Sequence, residues 1–143
     1  MKTILYINAC MRGEEVSRTG RLARAFLEAC RKRNPDLMIK ERNVLDSALP
    51  VLTGALAEKL VYITTAGGII GNQNYGYEYI RGLGGMFGIH DSAWLSAEGL
   101  DIQENDPEEI MREAEKEAAR LADMYLNGST GVNPEQEKTW PIS

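Results

Sequence analysis

The sequence has few of the side chains that carry acid–base or metal chemistry: it contains one histidine and two cysteines in 143 residues. Cys10 and Cys30 form neither a CxxC pair nor a metal-ligand spacing, so we expect two reduced thiols, one in a loop and one on a helix face. His90 is interpreted as a surface residue. Because no Ser-His-Asp set, carboxylate pair or metal cluster is evident, the sequence favours a cofactor that carries the chemistry, or no chemistry at all.

Long apolar runs and an excess of basic residues are also absent. No run approaches the ~18 residues of a membrane span, and the N-terminal apolar stretch is too short for a secretory signal. The net charge is −5, which disfavours nucleic acid and anionic membrane surfaces as partners. We therefore expect a cytoplasmic protein with no nucleic-acid, membrane or metal partner.

Short apolar runs alternate along the chain with amphipathic segments. The runs rich in β-forming residues predict strands at 3–8, 37–42, 60–65 and 93–97. The run at 3–8 shows no alternation, which suits a strand buried on both faces. Apolar residues at helical spacing predict a helix that ends near Asn34, a second at 75–87 and a third from Pro107 to Gly128. Strands that alternate with helices indicate an α/β fold with a parallel sheet of about four strands. We expect one domain over residues 1–128 and a polar tail over 129–143.

Two helices have strong sequence signals. In the first, Leu22, Phe26 and Cys30 form an apolar stripe. The last helix has Asp106 as its N-cap and Pro107 at its first position. Its predicted buried stripe consists of Ile110, Ala114, Ala118, Leu121 and Tyr125.

Ligands of parallel sheets bind outside the carboxyl ends of the strands, which directs attention to the loops 9–19, 43–58, 66–75 and 98–105. The first of these leads into a helix N-terminus at Ser17-Arg18-Thr19. Backbone amides, two hydroxyls and a guanidinium there suit phosphate oxygens. The alternative is that Ser17 or Thr19 only caps the helix.

The loop after the third strand reads Thr64-Thr65-Ala66-Gly67-Gly68. Two glycines at a strand end allow the backbone to turn sharply and to approach a flat ligand closely. The alternative is an ordinary tight turn. The GxGxxG and Walker A sequences are both absent, so neither dinucleotide nor nucleotide fingerprint applies.

Taken together, these pieces resemble the FMN-dependent NAD(P)H oxidoreductases of the azoreductase and quinone reductase type, which have a flavodoxin-like fold. Four stretches carry the likeness: residues 3–9 with Ser17-Arg18-Thr19, residues 44–52, residues 60–68, and Phe87-Gly88-Ile89 with Ser96-Ala97-Glu98-Gly99. They span most of residues 3–125, and their order and spacing are more specific than any single stretch.

The resemblance implies roles for particular residues. Ser17, Arg18 and Thr19 would hold the FMN phosphate, while Thr65, Gly67 and Gly68 would line the flavin ring. The family takes hydride from NAD(P)H and passes electrons to quinones or azo compounds, with active sites at a homodimer interface. No side chain of this sequence is assigned a catalytic role.

The chain departs from the family after Thr53-Gly54. There the family continues into a helix, a central strand and a second flavin loop, whereas here only residues 55–58 precede the next strand. The sequence therefore indicates an internal deletion near residues 54–59 that removes a central strand–helix unit. The first and third strands must then pair directly, or their edges must find another chain. We expect a homodimer, and exchange of strands between the two copies is one way to form it. We also expect the tail that contains Trp140 to cover part of the place of the missing strand.

Three classes of function remain open from the sequence. The first is an FMN-dependent oxidoreductase. The second is a non-catalytic remnant that acts through dimerisation or protein interaction. The third is an unrelated small α/β binding module, which a strand order unlike that of flavodoxin would favour.

Overall fold

A computed structural model describes residues 2–10, 16–43 and 57–126. These contain seven elements: β1 (Thr3–Asn8), α1 (Arg18–Arg33), β2 (Met38–Asn43), β3 (Lys59–Thr65), α2 (Tyr75–Met86), β4 (Asp91–Ala97) and α3 (Pro107–Leu126). Each element predicted from the sequence is present, and the bounds differ by at most a few residues. The α/β fold class is confirmed. The tail at 129–143, Trp140 included, lies outside the described residues, as does the segment 44–56.

The strands form two separate parallel pairs. β1 pairs with β2 from Thr3–Met38 to Asn8–Asn43, and β3 pairs with β4 from Lys59–Asp91 to Thr65–Ala97. Within the described residues no ladder joins β1 to β3. The sequence left two alternatives: β1 pairs directly with β3, or the edges of both strands pair with another chain. The described part of the chain does not show the direct pairing. We call this arrangement of the described strands in two separate ladders the divided sheet.

The divided sheet explains one wrong prediction. The apolar run of β1 was expected to be buried on both faces, yet Asn8 is its only buried residue and Ile7 is 45% exposed. All seven residues of β3 are also only partly buried. A strand is fully buried in a parallel sheet only when it has neighbours on both sides and helices on both faces. β1 and β3 have the sequences of inner strands, but each has a ladder on one side only among the described residues.

Helix α1 begins at a serine cap. Gly20 N donates to Ser17 Oγ at 3.0 Å, so Ser17 and not Thr19 is the N-cap. The predicted stripe is correct, because Leu22, Phe26 and Cys30 are all buried. The helix packs on α3 and β3. Both cysteines are free thiols, as expected.

Helix α3 begins where the sequence predicts. Asp106 Oδ1 accepts from Glu108 N at 2.9 Å. Ala114, Ala118 and Leu121 are buried in the core that α1 and β4 share with this helix. Ion pairs along the α1–α3 seam join Arg21 to Glu108 and Glu115, and Arg33 to Asp123.

Helix α2 lies against β3 through few residues. Tyr77 is buried and stacks on Trp94 with ring centroids 5.7 Å apart. Asn74 caps the helix by accepting from Tyr77 N at 3.0 Å. Gly88 follows the helix at φ +79°, which is the left-handed conformation expected for a C′ residue. His90 is exposed, as predicted.

Among the described residues, no helix is both long and apolar enough to span a membrane.

Candidate functional site

The carboxyl ends of β3 and β4 and the N-terminus of α1 meet at one place. Thr19 Oγ1 in the first turn of α1 lies 2.7 Å from Thr65 Oγ1 at the end of β3. Arg18 Nη1 donates to Asp101 Oδ1 at 2.9 Å, which ties the same turn to the loop after β4. Two predicted phosphate residues are thus in contact with two different strand-end loops. The crossover topology produces this meeting, because all carboxyl ends of parallel strands lie at one edge.

The loops after β3 and β4 continue the ladder beyond the strands. Ala66 N donates to Ala97 O at 2.8 Å, Gly99 N to Gly68 O at 2.8 Å, and Asp101 N to Gly67 O at 3.0 Å. These bonds fix the glycine loop against its neighbour without a side chain. The loop is therefore held in place before any ligand binds.

Glu98 locks the outer part of the glycine loop. Its Oε2 accepts from Ile70 N at 2.8 Å and from Gly71 N at 2.9 Å. Its Oε1 accepts from Ser96 Oγ at 2.7 Å. A carboxylate that accepts from backbone amides makes charge-assisted bonds, which are stronger than neutral ones. Glu98 therefore fixes the loop through the amides of Ile70 and Gly71, and Gly68 remains exposed.

The two glycines of the loop have different surroundings. A Cβ on Gly67 would overlap the Asp101 carboxylate, so glycine allows Asp101 to approach the loop. A Cβ on Gly68 would meet no atom within 4 Å. Gly68 thus borders open space and is the residue of this loop that a flat ligand can approach most closely.

All six predicted cofactor residues lie at this edge of the molecule: Ser17, Arg18, Thr19, Thr65, Gly67 and Gly68. A hydrogen bond links Thr19 directly to Thr65. Arg18 is linked to Gly67 indirectly, because Asp101 is bonded to both residues. Their role in binding remains a prediction. Sequence reasoning did not assign a role to Asp101 or Glu98. The stretch Ser96–Gly99 had been singled out as part of the resemblance, which was the available signal for Glu98.

Charge at this edge is mixed. Arg18 is about half exposed and its partner Asp101 mostly exposed. Arg21, one turn further along α1, is turned toward α3, where hydrogen bonds to Glu108 and Glu115 raise the pKa of its guanidinium. Arg21 is therefore paired with α3. Arg18, at the N-terminus of α1, contacts the loop after β4 instead.

A groove of about 610 Å³ lies between the end of β4 and α3. Six carboxylates line it: Glu98, Glu104, Asp106, Glu109, Glu113 and Glu117. Such a concentration of negative charge repels anionic ligands. No group of acidic, histidine or cysteine side chains among the described residues is arranged to hold a metal ion.

Comparison with solved structures defines the class of fold. Residues covering 86% of this chain superimpose on 99% of an azoreductase from Bacillus anthracis with a TM-score of 0.67 and 16% identity. The azoreductase AzrA gives a TM-score of 0.64 at 17% identity, over 84% of this chain and 98% of that one. An FMN-dependent NADH-azoreductase from Bacillus anthracis, solved in complex with FMN, gives 0.65 at 16% identity, over 87% and 99%. The fold is therefore the flavodoxin-like fold of these proteins.

Sequence comparison points to the same family. No family model matches the chain. An FMN-dependent NADH:quinone oxidoreductase of Clostridium beijerinckii is 37% identical over 67 residues, which make up 46% of this chain and 34% of that protein. The chain thus matches about a third of the length of this curated relative. The resemblance expected from the sequence is thus supported by this relative in sequence and by the azoreductases in fold.

Proposed function

We propose that the chain binds FMN at the edge formed by α1 and the loops after β3 and β4, and that it is an NAD(P)H oxidoreductase of the azoreductase and quinone reductase type. The observation that carries the proposal is the contact of Thr19 with Thr65 at 2.7 Å. It joins the predicted phosphate turn to the predicted ring loop. The similarity to an FMN-dependent relative and to a neighbour solved with FMN supports it.

The residues at this edge fit the chemistry of a phosphate group. Ser17 and Thr19 supply hydroxyls, and the first turn of α1 contains no acidic residue. The helix N-terminus favours negative charge. Arg18 pairs with Asp101 in an exposed contact, and exposed pairs of this kind contribute little to stability. Arg18 can therefore exchange Asp101 for a phosphate at a small cost in free energy.

Fewer residues are available to contact the flavin ring than to contact the phosphate and its surroundings. Thr65, Gly67 and Gly68 would border one edge of the isoalloxazine, with Gly68 next to open space. When bound, FMN supplies the hydride-accepting chemistry that no side chain here provides. The protein's part is to hold the phosphate at α1 and to place the ring beside the glycine loop. The electron acceptors proposed are quinones or azo compounds.

Titration of FMN fluorescence with the apoprotein tests the proposal. Arg18→Ala and Thr19→Ala should each weaken FMN binding about tenfold or more, because a hydrogen bond to a charged group contributes about 1.5–3 kcal/mol. Arg33→Ala is the matched control. It removes another exposed, ion-paired arginine of the same helix, far from the loops, and should leave the affinity unchanged. Equal affinities of all variants would show that the phosphate site is wrongly placed.

A second candidate function is supported by a specific observation. Ser17, Arg18 and Thr19 each already have a protein partner, and β1 and β3 share no ladder in the described residues. This arrangement also suits a non-catalytic remnant that acts through dimerisation or protein interaction. Absence of FMN binding at about 0.5 mM protein, a limit weaker than any useful cofactor site, would favour that function. Saturable binding followed by NADH-dependent flavin reduction would favour the enzyme.

A further inference from the structure

Asp101, in the loop after β4, is bonded to both parts of the proposed flavin site. Its side-chain Oδ1 accepts from Arg18 Nη1 at 2.9 Å, and its backbone N donates to Gly67 O at 3.0 Å. Arg18 belongs to the proposed phosphate turn and Gly67 to the proposed ring loop. The carboxylate of Asp101 is therefore the anion that Arg18 binds in this structure.

The backbone of Asp101 is fixed, whereas its side chain can turn. Besides the bond from Asp101 N, the neighbouring Leu100 N donates to Ala66 O at 3.2 Å, and Leu100 is 2% exposed. The side chain of Asp101, in contrast, is 71% exposed. Exposed side chains change rotamer within nanoseconds. The carboxylate can therefore leave Arg18 while the strands and the path of the loop stay as they are.

The present position of the carboxylate depends on the glycine at position 67. Gly67 is not one of the glycines with a left-handed backbone, which are Gly71, Gly88 and Gly99. Its backbone conformation alone therefore does not require glycine. A Cβ at Gly67 would, however, overlap Oδ2 of Asp101. What glycine provides at this position is room for the carboxylate between the ring loop and Arg18.

The neighbouring carboxylate, Glu98, does not share this arrangement. Glu98 accepts from two backbone amides of the glycine loop and from Ser96 Oγ, so its oxygens are bonded within the loops. Asp101 instead directs its carboxylate at Arg18. Arg18 and Asp101 together carry no net charge, and the pair attracts a phosphate less strongly than Arg18 would alone.

We propose that Asp101 competes with the phosphate of FMN for Arg18 and thereby determines how strongly the chain prefers FMN to riboflavin. Riboflavin has no phosphate, so it can bind beside the glycine loop while the Arg18–Asp101 pair stays intact. FMN has to break the pair before Arg18 donates to its phosphate. Asp101 thus lowers the affinity for FMN, a role that rests on the proposed function because the competing anion is the phosphate of FMN.

Fluorescence titrations of FMN and of riboflavin with the wild type and Asp101→Asn test the competition. Asparagine keeps the size of the side chain and removes its charge. Asp101→Asn should bind FMN about fivefold more tightly, the upper end for loss of an exposed ion pair. Its affinity for riboflavin should stay within about twofold of wild type, since no pair is broken. The ratio of the two affinities does not depend on the fraction of folded protein.

Asp123→Asn is the matched control for the change in charge. It removes the carboxylate from another arginine pair of α1, that of Arg33 with Asp123, and lies on the side of α3 away from the loops after β3 and β4. Both flavin affinities should stay within about twofold of wild type, because a surface charge far from the ligand is screened. A control that tightens FMN as much as Asp101→Asn does would overturn the competition.

The same substitution in an Arg18→Ala background separates competition from direct repulsion. Without Arg18 there is no pair to break, so Asp101→Asn should change the affinity for FMN by less than about twofold in this double-mutant cycle. An equal gain in both backgrounds would overturn the competition, because Asp101 would then repel the phosphate without involving Arg18.

The outcomes also distinguish the competition from the proposed function itself. If the wild type binds FMN and Arg18→Ala weakens it, but Asp101→Asn binds no more tightly than wild type, the competition is wrong and the FMN site stands. Weaker binding of both flavins by Asp101→Asn also overturns the competition, since Asp101 would then be a ligand of the ribityl hydroxyls. If neither wild type nor Asp101→Asn binds FMN at about 0.5 mM protein, both are wrong. Binding by Asp101→Asn alone would support both.

Discussion

The two halves of the divided sheet differ in how they are built into the molecule. In the β3–β4 pair, Ala93, Leu95 and Ala97 of β4 are buried in the core that this strand shares with α1 and α3, and the loops extend the ladder past the strand ends. In β1 only Asn8 is buried, and Ile7 is 45% exposed. Helix α1 joins β1 to β2 along the chain, yet it packs on α3 and β3.

This difference shows that sequence position does not decide which sheet a crossover helix stabilises. A helix buries its apolar face against whatever apolar surface is continuous, and here α3, β3 and β4 provide it. The β1–β2 pair contacts the core through the partly buried side chains of Ile4 and Ile39, and Lys2 Nζ donates to Leu126 O at 2.7 Å. We expect the β1–β2 pair to be the less stable half.

The largest expected effect comes from truncating one apolar residue in each half. Leu95→Ala removes a side chain that is 4% exposed and should reduce the free energy of unfolding by about 3 kcal/mol, as for other buried leucines. Ile7→Ala, in β1, should reduce it by less than about 1 kcal/mol, because its side chain is already partly in water. Urea unfolding followed by circular dichroism measures both. Similar losses for the two variants would mean that the halves are equally well packed.

An intermediate effect on the free energy of unfolding is expected at high pH from Cys30 in α1, the helix that packs on β3. Burial, and secondarily the charge of Asp123, raises the pKa of the Cys30 thiol to about 11 from an ordinary value of 9.0. The unfolded chain therefore loses this proton first. The stability that results is complete below about pH 9 and is lost as the pH rises toward 11.

Unfolding of the wild type and of Cys30→Ala at pH 8 and pH 10.5 measures this loss. The wild type should lose up to about 2 kcal/mol more than the variant over this interval, given 1.36 kcal/mol per pKa unit. Cys10→Ala removes the other, half-buried thiol and serves as the control. If Cys30→Ala has the same pH dependence as the wild type, the thiol does not ionise on unfolding as described.

The smallest expected effect concerns the loop that completes the better-built half. Glu98→Ala removes the acceptor of Ile70 N, Gly71 N and Ser96 Oγ. The variant should lose about 1–2 kcal/mol, because exposed amides regain hydrogen bonds to water. Hydrogen exchange at Ile70 and Gly71 should accelerate about tenfold while the amides of β4 remain protected. Glu113→Ala, on the exposed face of α3, is the control, and uniform acceleration over both loop and strand would contradict a local role for Glu98.

Much of the fold followed from local sequence signals. Helix ends have chemical requirements: the Asp106-Pro107 start of α3 was found where predicted, and the cap of α1 is Ser17, one of the two residues that the sequence offered. The stripe of Leu22, Phe26 and Cys30 identified the buried face of α1, because its period is that of a helix. The position of the candidate site also followed from the alternation of strands and helices.

Other features depended on contacts between distant segments. The sequence of an apolar strand does not reveal whether the strand has one neighbour or two in the sheet, so the exposure of β1 could not be predicted. Asp101 was missed because an acidic residue in a polar loop has no local signature. Its contact with Arg18 spans 83 residues of chain.

The sequence by itself determined the elements, their order, the helix ends and the family resemblance, since these depend on side-chain periodicity and on the chemistry of neighbouring residues. Tertiary structure alone decided that the sheet is divided and that α1 supports β3. It also decided that Arg18 contacts the loop after β4, that Thr19 contacts the end of β3, and that Tyr75, Tyr79 and Met86 of α2 are exposed. These outcomes depend on which surfaces are brought together, and burial and hydrogen bonding between distant residues are properties of the folded chain as a whole.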